Sequence, residues 1–193
     1  MRKLKLQVQI SVDGYIADEN GHTDWLVWPW TEEWTWDLEL RQYFYELKKS
    51  IDTVLLSRKM AQEGFINHWS QVANKPSNPQ SAFAKKISEA KKVVFSRTLK
   101  KSEWDNTVLA GEDFIKEINS LKAQQGKDII VYGGATFVSS LIDADLIDEF
   151  YLFVNPTSLG NGLSIFKDRH KLNLVEAKGF DCGVAVLKYI KHF

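Results

Sequence analysis

The sequence predicts an α/β fold with a mainly parallel central sheet, flanking helices and an antiparallel hairpin at the C-terminus. Short runs of β-branched and aliphatic residues alternate with segments whose apolar residues recur at helical spacing, as in parallel sheets with crossover helices. The last segment instead has two strand-like runs, residues 172–180 and 184–190, around an Asp-Cys-Gly turn. Because the 193 residues contain no linker or repeat, we expect a single domain over residues 1–193.

The first part of the chain predicts two strands, one helix and a long loop. Alternating apolar residues at positions 4, 6, 8 and 10 predict a strand that ends at a turn formed by Asp13 and Gly14. Apolar residues at positions 36, 40, 44, 47 and 51 predict a helix, with Thr31 as its cap. Residues 53–56 predict a buried strand, and the prolines within residues 67–80 predict an exposed loop.

The remaining segments continue the alternation of helices and strands. Residues 81–90 predict a short helix, and residues 93–95 and 108–109 predict two strands. Apolar residues between positions 114 and 121 predict a helix that stops near Gly126. A buried strand at residues 129–132 is followed by a helix that reaches Ile142, and a strand at residues 149–154 stops at Pro156.

Composition and charge narrow the classes of function. The formal net charge is zero and the cations are scattered, which argues against a nucleic-acid-binding surface. The N-terminus alternates charged and apolar residues like a strand and unlike a signal peptide, and no apolar run is long enough for a bilayer. Cys182 is the single cysteine and the four histidines lack ligand spacing, so we expect no metal. These features predict a cytoplasmic protein without a membrane partner.

A glycine pair joins the predicted strand at residues 129–132 directly to the next helix. Gly133 and Gly134 have no β-carbon, so the backbone there can come close to a ligand. The first turn of the helix offers unpaired N–H groups and the positive end of a dipole, which suit a phosphate. The alternative is a tight turn that needs glycine only for its backbone angles.

Five tryptophans crowd a window of twelve residues, at positions 25, 28, 30, 34 and 36. Each indole N–H needs a hydrogen-bond partner when the ring is buried. One interpretation is an aromatic wall that stacks on a flat heterocyclic substrate. The alternative is a cluster in the core or at a dimer interface.

Short motifs in a fixed order carry a family resemblance. Residues 9–17 read Gln-Ile-Ser-Val-Asp-Gly-Tyr-Ile-Ala, residues 132–137 read Tyr-Gly-Gly-Ala-Thr-Phe, residues 146–150 read Leu-Ile-Asp-Glu-Phe, and residues 155–162 read Asn-Pro-Thr-Ser-Leu-Gly-Asn-Gly. Over nearly its whole length the chain resembles the dihydrofolate reductase-like family, most closely its riboflavin-biosynthesis reductases (RibD C-terminal domain). The resemblance implies NADPH at the carboxyl edge of the sheet and hydride transfer to a small heterocyclic or sugar-derived substrate.

The resemblance also assigns roles to individual residues. The glycine turn and the start of its helix match the cofactor pyrophosphate site, where the glycine peptide is often cis. These residues are Gly133, Gly134, Ala135, Thr136 and Phe137. Two segments match the surroundings of the adenosine 2′-phosphate, since cations beside hydroxyls suit a dianion. They contain Ser57, Arg58, Lys59, Ser96, Arg97 and Thr98. Ile16 and Ala17 match the loop over the nicotinamide, and Asp13 and Trp25 are assigned to the substrate.

Departures from the family pattern leave the substrate open. Ser57 and Met60 stand where the second-strand motif usually has glycine and threonine, and Tyr132 stands where glutamate is usual. The pterin-binding carboxylate of dihydrofolate reductases would fall near Trp30, so Asp24 is the nearest candidate catalytic acid. The first hypothesis is an NADPH-dependent reductase similar to 5-amino-6-(5-phosphoribosylamino)uracil reductase. The alternatives are a dihydrofolate reductase-like enzyme acting on a pterin and a non-catalytic nucleotide-binding protein.

A homodimer is the expected assembly. The resemblance implies pairing through sheet edges and terminal strands. Phe150, Tyr151, Phe153 and the tryptophans supply aromatic surface, and a monomer would expose a larger apolar patch than soluble proteins usually tolerate.

Overall fold

A computed structural model describes residues 1–111 and 113–192 of the chain. The chain divides into two compact units, of which the first contains Met1–Leu4 and Phe44–Gly134 and the second contains Lys5–Tyr43 and Ala135–Phe193. The expectation of a single domain over residues 1–193 stays a prediction.

Strands and helices alternate along the described residues. In chain order they are β1 (Leu4–Ile10), β2 (Tyr15–Ala17), α1 (Leu38–Lys49), β3 (Ile51–Ser57), α2 (Arg58–Gln62), α3 (Phe65–Ala73), α4 (Ser81–Glu89), β4 (Lys91–Phe95), β5 (Thr107–Ala110), α5 (Phe114–Ala123), β6 (Asp128–Tyr132), α6 (Ala135–Asp143), β7 (Glu149–Val154), β8 (Leu163–Ser164), β9 (Leu172–Gly179) and β10 (Ala185–Lys191).

The first unit contains four parallel strands in the order β5-β4-β3-β6. The central strand β3 is apolar on both faces, as expected for a parallel strand covered by helices. Helices α3 and α4 pack against each other through Trp69 and Phe83, whose ring centroids are 4.7 Å apart. Phe44, from the last part of α1, lies 4.8 Å from Phe83 and completes this buried aromatic cluster.

The second unit contains strands in the order β1-β7-β10-β9. β1 and β7 are parallel, whereas β10 is antiparallel to both β7 and β9. The predicted C-terminal hairpin is therefore formed by β9 and β10. A separate two-stranded sheet pairs β2 with β8, and the sequence patterns had predicted neither of these short strands. The predicted fold class is confirmed as mixed α/β, with a mainly parallel sheet, helices and an antiparallel hairpin.

Two local predictions are wrong. Much of the predicted loop at residues 67–80 is helical, because Ile66, Trp69 and Val72 repeat at helical spacing and bury one face of α3. The prolines follow this helix and do not interrupt it. The predicted cap Thr31 lies outside α1, whose first turn is instead capped by Asp37 through a 2.9 Å hydrogen bond from the backbone N–H of Leu40.

The membrane prediction rests on helix length and hydropathy. In the part of the chain that the structure describes, no helix is both long enough and apolar enough to cross a membrane.

Candidate functional site

The first unit brings three of the predicted cofactor-binding segments to one edge of its sheet. Ser57 at the end of β3 lies opposite Phe95, and Leu56 lies opposite Tyr132, so β3, β4 and β6 end level with one another. The segments that follow these ends are residues 58–59, 96–98 and 133–134. Ligands of open α/β sheets bind outside the carboxyl ends of the strands, which is where these segments lie.

Two serines shape the backbone at this edge. Ser57 is the N-cap of α2, and its hydroxyl accepts a 3.2 Å hydrogen bond from the backbone N–H of Met60. The Ser96 hydroxyl accepts hydrogen bonds of 3.1 and 2.9 Å from the backbone N–H groups of Thr98 and Leu99. Each hydroxyl keeps its own proton for donation, so both serines hold the turn and can still contact a phosphate.

The three cations at this edge are exposed. The Arg58 guanidinium donates a 2.9 Å hydrogen bond to the side chain of Gln62, and Lys59 forms a 3.6 Å ion pair with Glu63. Arg97 makes no hydrogen bond or ion pair to any residue that the structure describes. Because exposed helix ion pairs contribute little, these side chains can turn toward an anion at small cost.

The glycine turn is open where the cofactor pyrophosphate was predicted. Gly134 is exposed, and a β-carbon added to it would meet no atom within 4 Å. Its φ is not in the left-handed region, so backbone angles do not explain the glycine. The Gly133–Gly134 peptide is trans, unlike the cis peptide that the resemblance implied, and trans is the ordinary state without proline. The open space lies directly before α6, and helix starts are common binding positions for phosphate.

Tyr132, which replaces the usual glutamate, points into the first unit. Its side chain is buried, and its hydroxyl accepts a hydrogen bond from the Lys48 ammonium. That ammonium lies 4.8 Å from the Tyr132 ring centroid and 4.4 Å from the Phe44 ring centroid. Burial raises the pKa of Tyr132 well above its ordinary value, so the phenol stays protonated at neutral pH.

In the second unit, Asp13 connects two of the family motifs. Its carboxylate accepts hydrogen bonds from the Ser11 and Ser158 hydroxyls at 2.6 and 2.8 Å. It also accepts backbone N–H bonds from Leu159 at 3.1 Å and Gly160 at 2.7 Å. The Ser11 bond, followed by those from Gly160, Leu159 and Ser158, lowers the pKa of Asp13 far below its ordinary value. Both oxygens therefore hold the loop at residues 155–162, and a substrate contact by Asp13 stays a prediction.

Asn155, at the start of the family motif at residues 155–162, anchors a buried hydrogen-bond network that the sequence reasoning did not predict. Its side chain is fully buried, and its amide oxygen accepts a 2.9 Å hydrogen bond from the backbone N–H of Val27. Its amide nitrogen donates to the Phe153 carbonyl at 3.1 Å and to the Gln9 side chain at 3.4 Å. Gln9 in turn donates to the Trp28 carbonyl at 3.1 Å. The signal available in the sequence was an amide at the start of a family motif, directly before Pro156.

The predicted nicotinamide loop is a short strand. Ile16 is half-buried and Ala17 is buried in β2, which pairs with β8. Gly162 lies against this strand so closely that an added β-carbon would overlap the carbonyl oxygen of Ala17. A glycine is thus required at position 162 for the backbone of the family motif at residues 155–162 to approach the motif at residues 9–17.

Most of the tryptophan cluster belongs to the core of the second unit. Trp28, Trp34 and Trp36 are buried, and Trp36 stacks on Phe153 with the ring centroids 5.4 Å apart. The core interpretation is therefore correct for these three rings, which cannot form a wall against a substrate. Trp25 is half-buried and donates a 3.2 Å hydrogen bond from its indole to the carbonyl of His22.

Asp24, the candidate acid, is exposed beside Trp25. It forms no hydrogen bond or ion pair with the residues that the structure describes. Over the same residues, no group of three histidine, cysteine or acidic side chains is arranged to hold a metal ion. The roles assigned to individual site residues stay predictions.

Comparison with known proteins identifies the family. Residues 2–186 match the family described as the RibD C-terminal domain.

The chain belongs to the RibD C-terminal domain family.

This membership confirms the resemblance carried by the sequence motifs. A similar protein is the uncharacterized protein YyaP of Bacillus subtilis (strain 168). It is 32% identical over 194 residues, which cover 97% of this chain and 94% of YyaP.

Solved structures share the fold of this RibD C-terminal domain. The deaminase/5-amino-6-(5-phosphoribosylamino)uracil reductase of Thermotoga maritima has a TM-score of 0.67 at 18% identity, covering 99% of this chain and 57% of that one. The dihydrofolate reductase of Enterococcus faecalis, complexed with NADP(H) and RAB-propyl, has a TM-score of 0.57 at 13% identity. The match covers 99% of this chain and 97% of the reductase. At these identities the similarity shows a common fold.

Proposed function

We propose that this protein is an NADPH-dependent reductase of the riboflavin-biosynthesis type, similar to 5-amino-6-(5-phosphoribosylamino)uracil reductase. The observation that carries the proposal is the open turn at Gly134, level with exposed Arg58, Lys59 and Arg97 at one sheet edge. Membership in the RibD C-terminal domain family supports it, and so does the fold shared with a reductase that is complexed with NADP(H).

Each group of residues has a distinct role in the proposal. The first turn of α6, with Ala135, Thr136 and Phe137, binds pyrophosphate oxygens through backbone N–H groups. Arg58, Lys59, Arg97 and the hydroxyls of Ser57, Ser96 and Thr98 bind the adenosine 2′-phosphate. When bound, the cofactor would supply a hydride. Contacts of Ile16 and Ala17 with the nicotinamide, and of Asp13 and Trp25 with the substrate, are proposed from the family resemblance alone.

The proton donor is proposed to be water. Tyr132 cannot replace the usual glutamate as an acid, because its phenol is buried against Lys48 and its pKa is raised by burial. Asp24 is exposed, so no feature of its surroundings prepares it for proton transfer. The proposed substrate is therefore an already activated one, such as an imine-like sugar carbon.

The proposal is tested by titrating the purified protein with NADPH and then screening aminouracil and pterin substrates for loss of NADPH absorbance. Turnover of an aminouracil substrate is the expected result. Turnover of a pterin alone would instead favour the dihydrofolate reductase-like alternative. Absence of binding at about 1 mM NADPH, the upper end of ordinary Michaelis constants, would contradict the proposal.

We predict that the protein binds NADPH at least about tenfold more tightly than NADH. Charge-assisted contacts to the extra phosphate contribute roughly 1.5–3 kcal/mol each, and about 1.4 kcal/mol corresponds to tenfold. Arg97→Ala should reduce this ratio without changing NADH affinity, because Arg97 is exposed and faces no internal partner among the described residues. Arg169→Ala, at an exposed arginine outside the predicted site, is the control. Equal affinity of the unmodified protein for the two cofactors would refute the prediction.

We also propose a homodimer, although one reason for expecting it, aromatic surface from the strand at residues 149–154, is wrong. Phe150, Tyr151 and Phe153 are buried within the chain and need no partner. The outer strand β9 is instead an exposed edge of the second unit, and two of its apolar side chains are accessible, with Leu174 57% and Val175 52% exposed. Long apolar edge strands commonly pair with another strand.

We expect sedimentation to give a molecular mass of twice the 22.2 kDa of one chain. Val175→Lys places a charge on the exposed edge and should give a monomer. Lys171→Gln is the control: it changes an exposed residue just before β9 and should leave the dimer intact. A single 22.2 kDa species of the unmodified protein at micromolar concentration would rule out the dimer.

A further inference from the structure

A pocket lies between the last turn of α1 and helix α4 in the first unit. Its volume is about 210 Å³. α1 ends directly before β3, and α4 ends directly before β4, so the last turns of both helices lie beside the amino ends of these strands. The candidate cofactor edge is at the carboxyl ends of the same strands. None of the residues that line the pocket belongs to the segments proposed to bind the cofactor, although Lys48 contacts Tyr132 at the end of β6.

Lysines dominate the charge of this pocket. Lys48, Lys49, Lys85 and Lys86 line it together with Glu89. Lys49 pairs with Glu46 at 2.5 Å and Lys85 pairs with Glu89 at 4.0 Å, and both of these lysines are largely exposed. Lys86 is half-buried, and its side chain forms no hydrogen bond or ion pair with the described part of the chain. The lining thus carries an excess of positive charge, with one ammonium available to an incoming group.

The floor of the pocket contains a cation that is held in place. The Lys48 side chain is 1% exposed, and its ammonium donates to the hydroxyl of Tyr132. This ammonium therefore does not need to contact a ligand directly.

Tyr45 adds a hydrogen-bond donor to the wall. The phenol is half-buried and has no hydrogen-bond partner within residues 1–111 and 113–192. Burial raises the pKa of Tyr45, which keeps the hydroxyl protonated. The exposed methyl group of Ala82 supplies an apolar surface beside it.

We propose that this pocket binds a small organic anion. Lys86 and Tyr45 hold its phosphate or carboxylate group, and a short apolar body packs against Ala82 and the Tyr45 ring. The volume of 210 Å³ is below the roughly 300–1,000 Å³ of sites for drug-sized ligands, so the ligand is smaller than a nucleotide. The proposal does not depend on the reductase activity, because its residues lie outside the candidate cofactor edge.

The test is nuclear magnetic resonance of ¹⁵N-labelled full-length protein titrated with inorganic phosphate and, separately, with benzoate at constant ionic strength. Saturable shifts of the Tyr45 and Lys86 amides are expected, with a dissociation constant of about 1–10 mM. Lys86→Gln should weaken binding at least about tenfold, as expected for loss of a contact to a charged group. Tyr45→Phe should weaken it about fivefold through loss of one hydrogen bond.

Lys116→Gln is the matched control, because it removes an exposed lysine of α5 and should leave the affinity unchanged. Shifts with phosphate alone or with benzoate alone would support the site and identify its ligand class. The proposal is overturned if neither probe shifts these amides saturably, or if Lys86→Gln binds as tightly as the unmodified protein. Phosphate bound only at the carboxyl edge would shift residues 96–98 and 133–137 instead, which also overturns it.

Discussion

Gly134→Val is expected to abolish NADPH binding, with affinity lowered at least about a hundredfold, which corresponds to roughly 2.7 kcal/mol. The valine side chain would occupy the open space before α6, where the pyrophosphate is proposed to lie. The fold should remain intact, because a β-carbon at this position meets no atom within 4 Å and φ is not in the left-handed region. Binding is measured by calorimetric titration with NADPH, and folding by circular dichroism.

Gly179→Val is a matched control for this change. Gly179 is also exposed, also has no left-handed φ, and also leaves open space around an added β-carbon, but it lies in β9. This variant should bind NADPH as the unmodified protein does. If Gly134→Val is folded and keeps normal affinity, the glycine turn has no role in cofactor binding.

Asn155→Ala is expected to lower the free energy of unfolding by about 3 kcal/mol. The change removes a fully buried amide and leaves the backbone N–H of Val27, the side chain of Gln9 and the carbonyl of Phe153 without this partner. A buried polar group that loses its partner costs roughly 1–3 kcal/mol, and three are affected here. The effect is measured by urea denaturation followed by tryptophan fluorescence, which also reports on Trp28 beside the network.

Two further variants make this stability test specific. Asn20→Ala changes an exposed asparagine and should alter the unfolding free energy by less than about 0.5 kcal/mol. Asn155→Asp keeps the acceptor for Val27 but loses the amide donors to Phe153 and Gln9, so it should also destabilise the protein. Unchanged stability of Asn155→Ala would mean that the network contributes nothing measurable.

The sequence patterns predicted secondary structure best where one period dominated. Alternating or continuous apolar runs located β1, β3, β4, β6 and β7, and the Asp-Cys-Gly turn located the hairpin of β9 and β10. The short strands β2 and β8 have too few residues to show a period, and their pairing depends on the close approach of Gly162 to Ala17. α3 was not predicted because the prolines that follow it indicate a loop, whereas the spacing of Ile66, Trp69 and Val72 indicates a helix.

For the candidate site, too, the sequence indicated local features and did not indicate contacts between distant residues. Local motifs were sufficient to select the glycine turn and the segments around Arg58 and Arg97, because each follows a strand directly in the chain. They did not predict the hydrogen bonds of Asn155 or the contact between Lys48 and Tyr132. Lys48 and Tyr132 are 84 positions apart, and Val27 and Asn155 are 128 positions apart. Hydrogen bonds over such separations leave no periodic signal in the sequence.

By itself, the sequence determined the α/β class, the order of most elements and the family, because hydrophobic period and short motifs are local properties of the chain. The tertiary structure alone decided which of those residues are available to a ligand. It buried Trp28, Trp34 and Trp36 in the core, committed the carboxylate of Asp13 to the loop at residues 155–162, and left Gly134 open. Burial and hydrogen bonding depend on what packs against a residue, and that is set by neighbours distant in the chain.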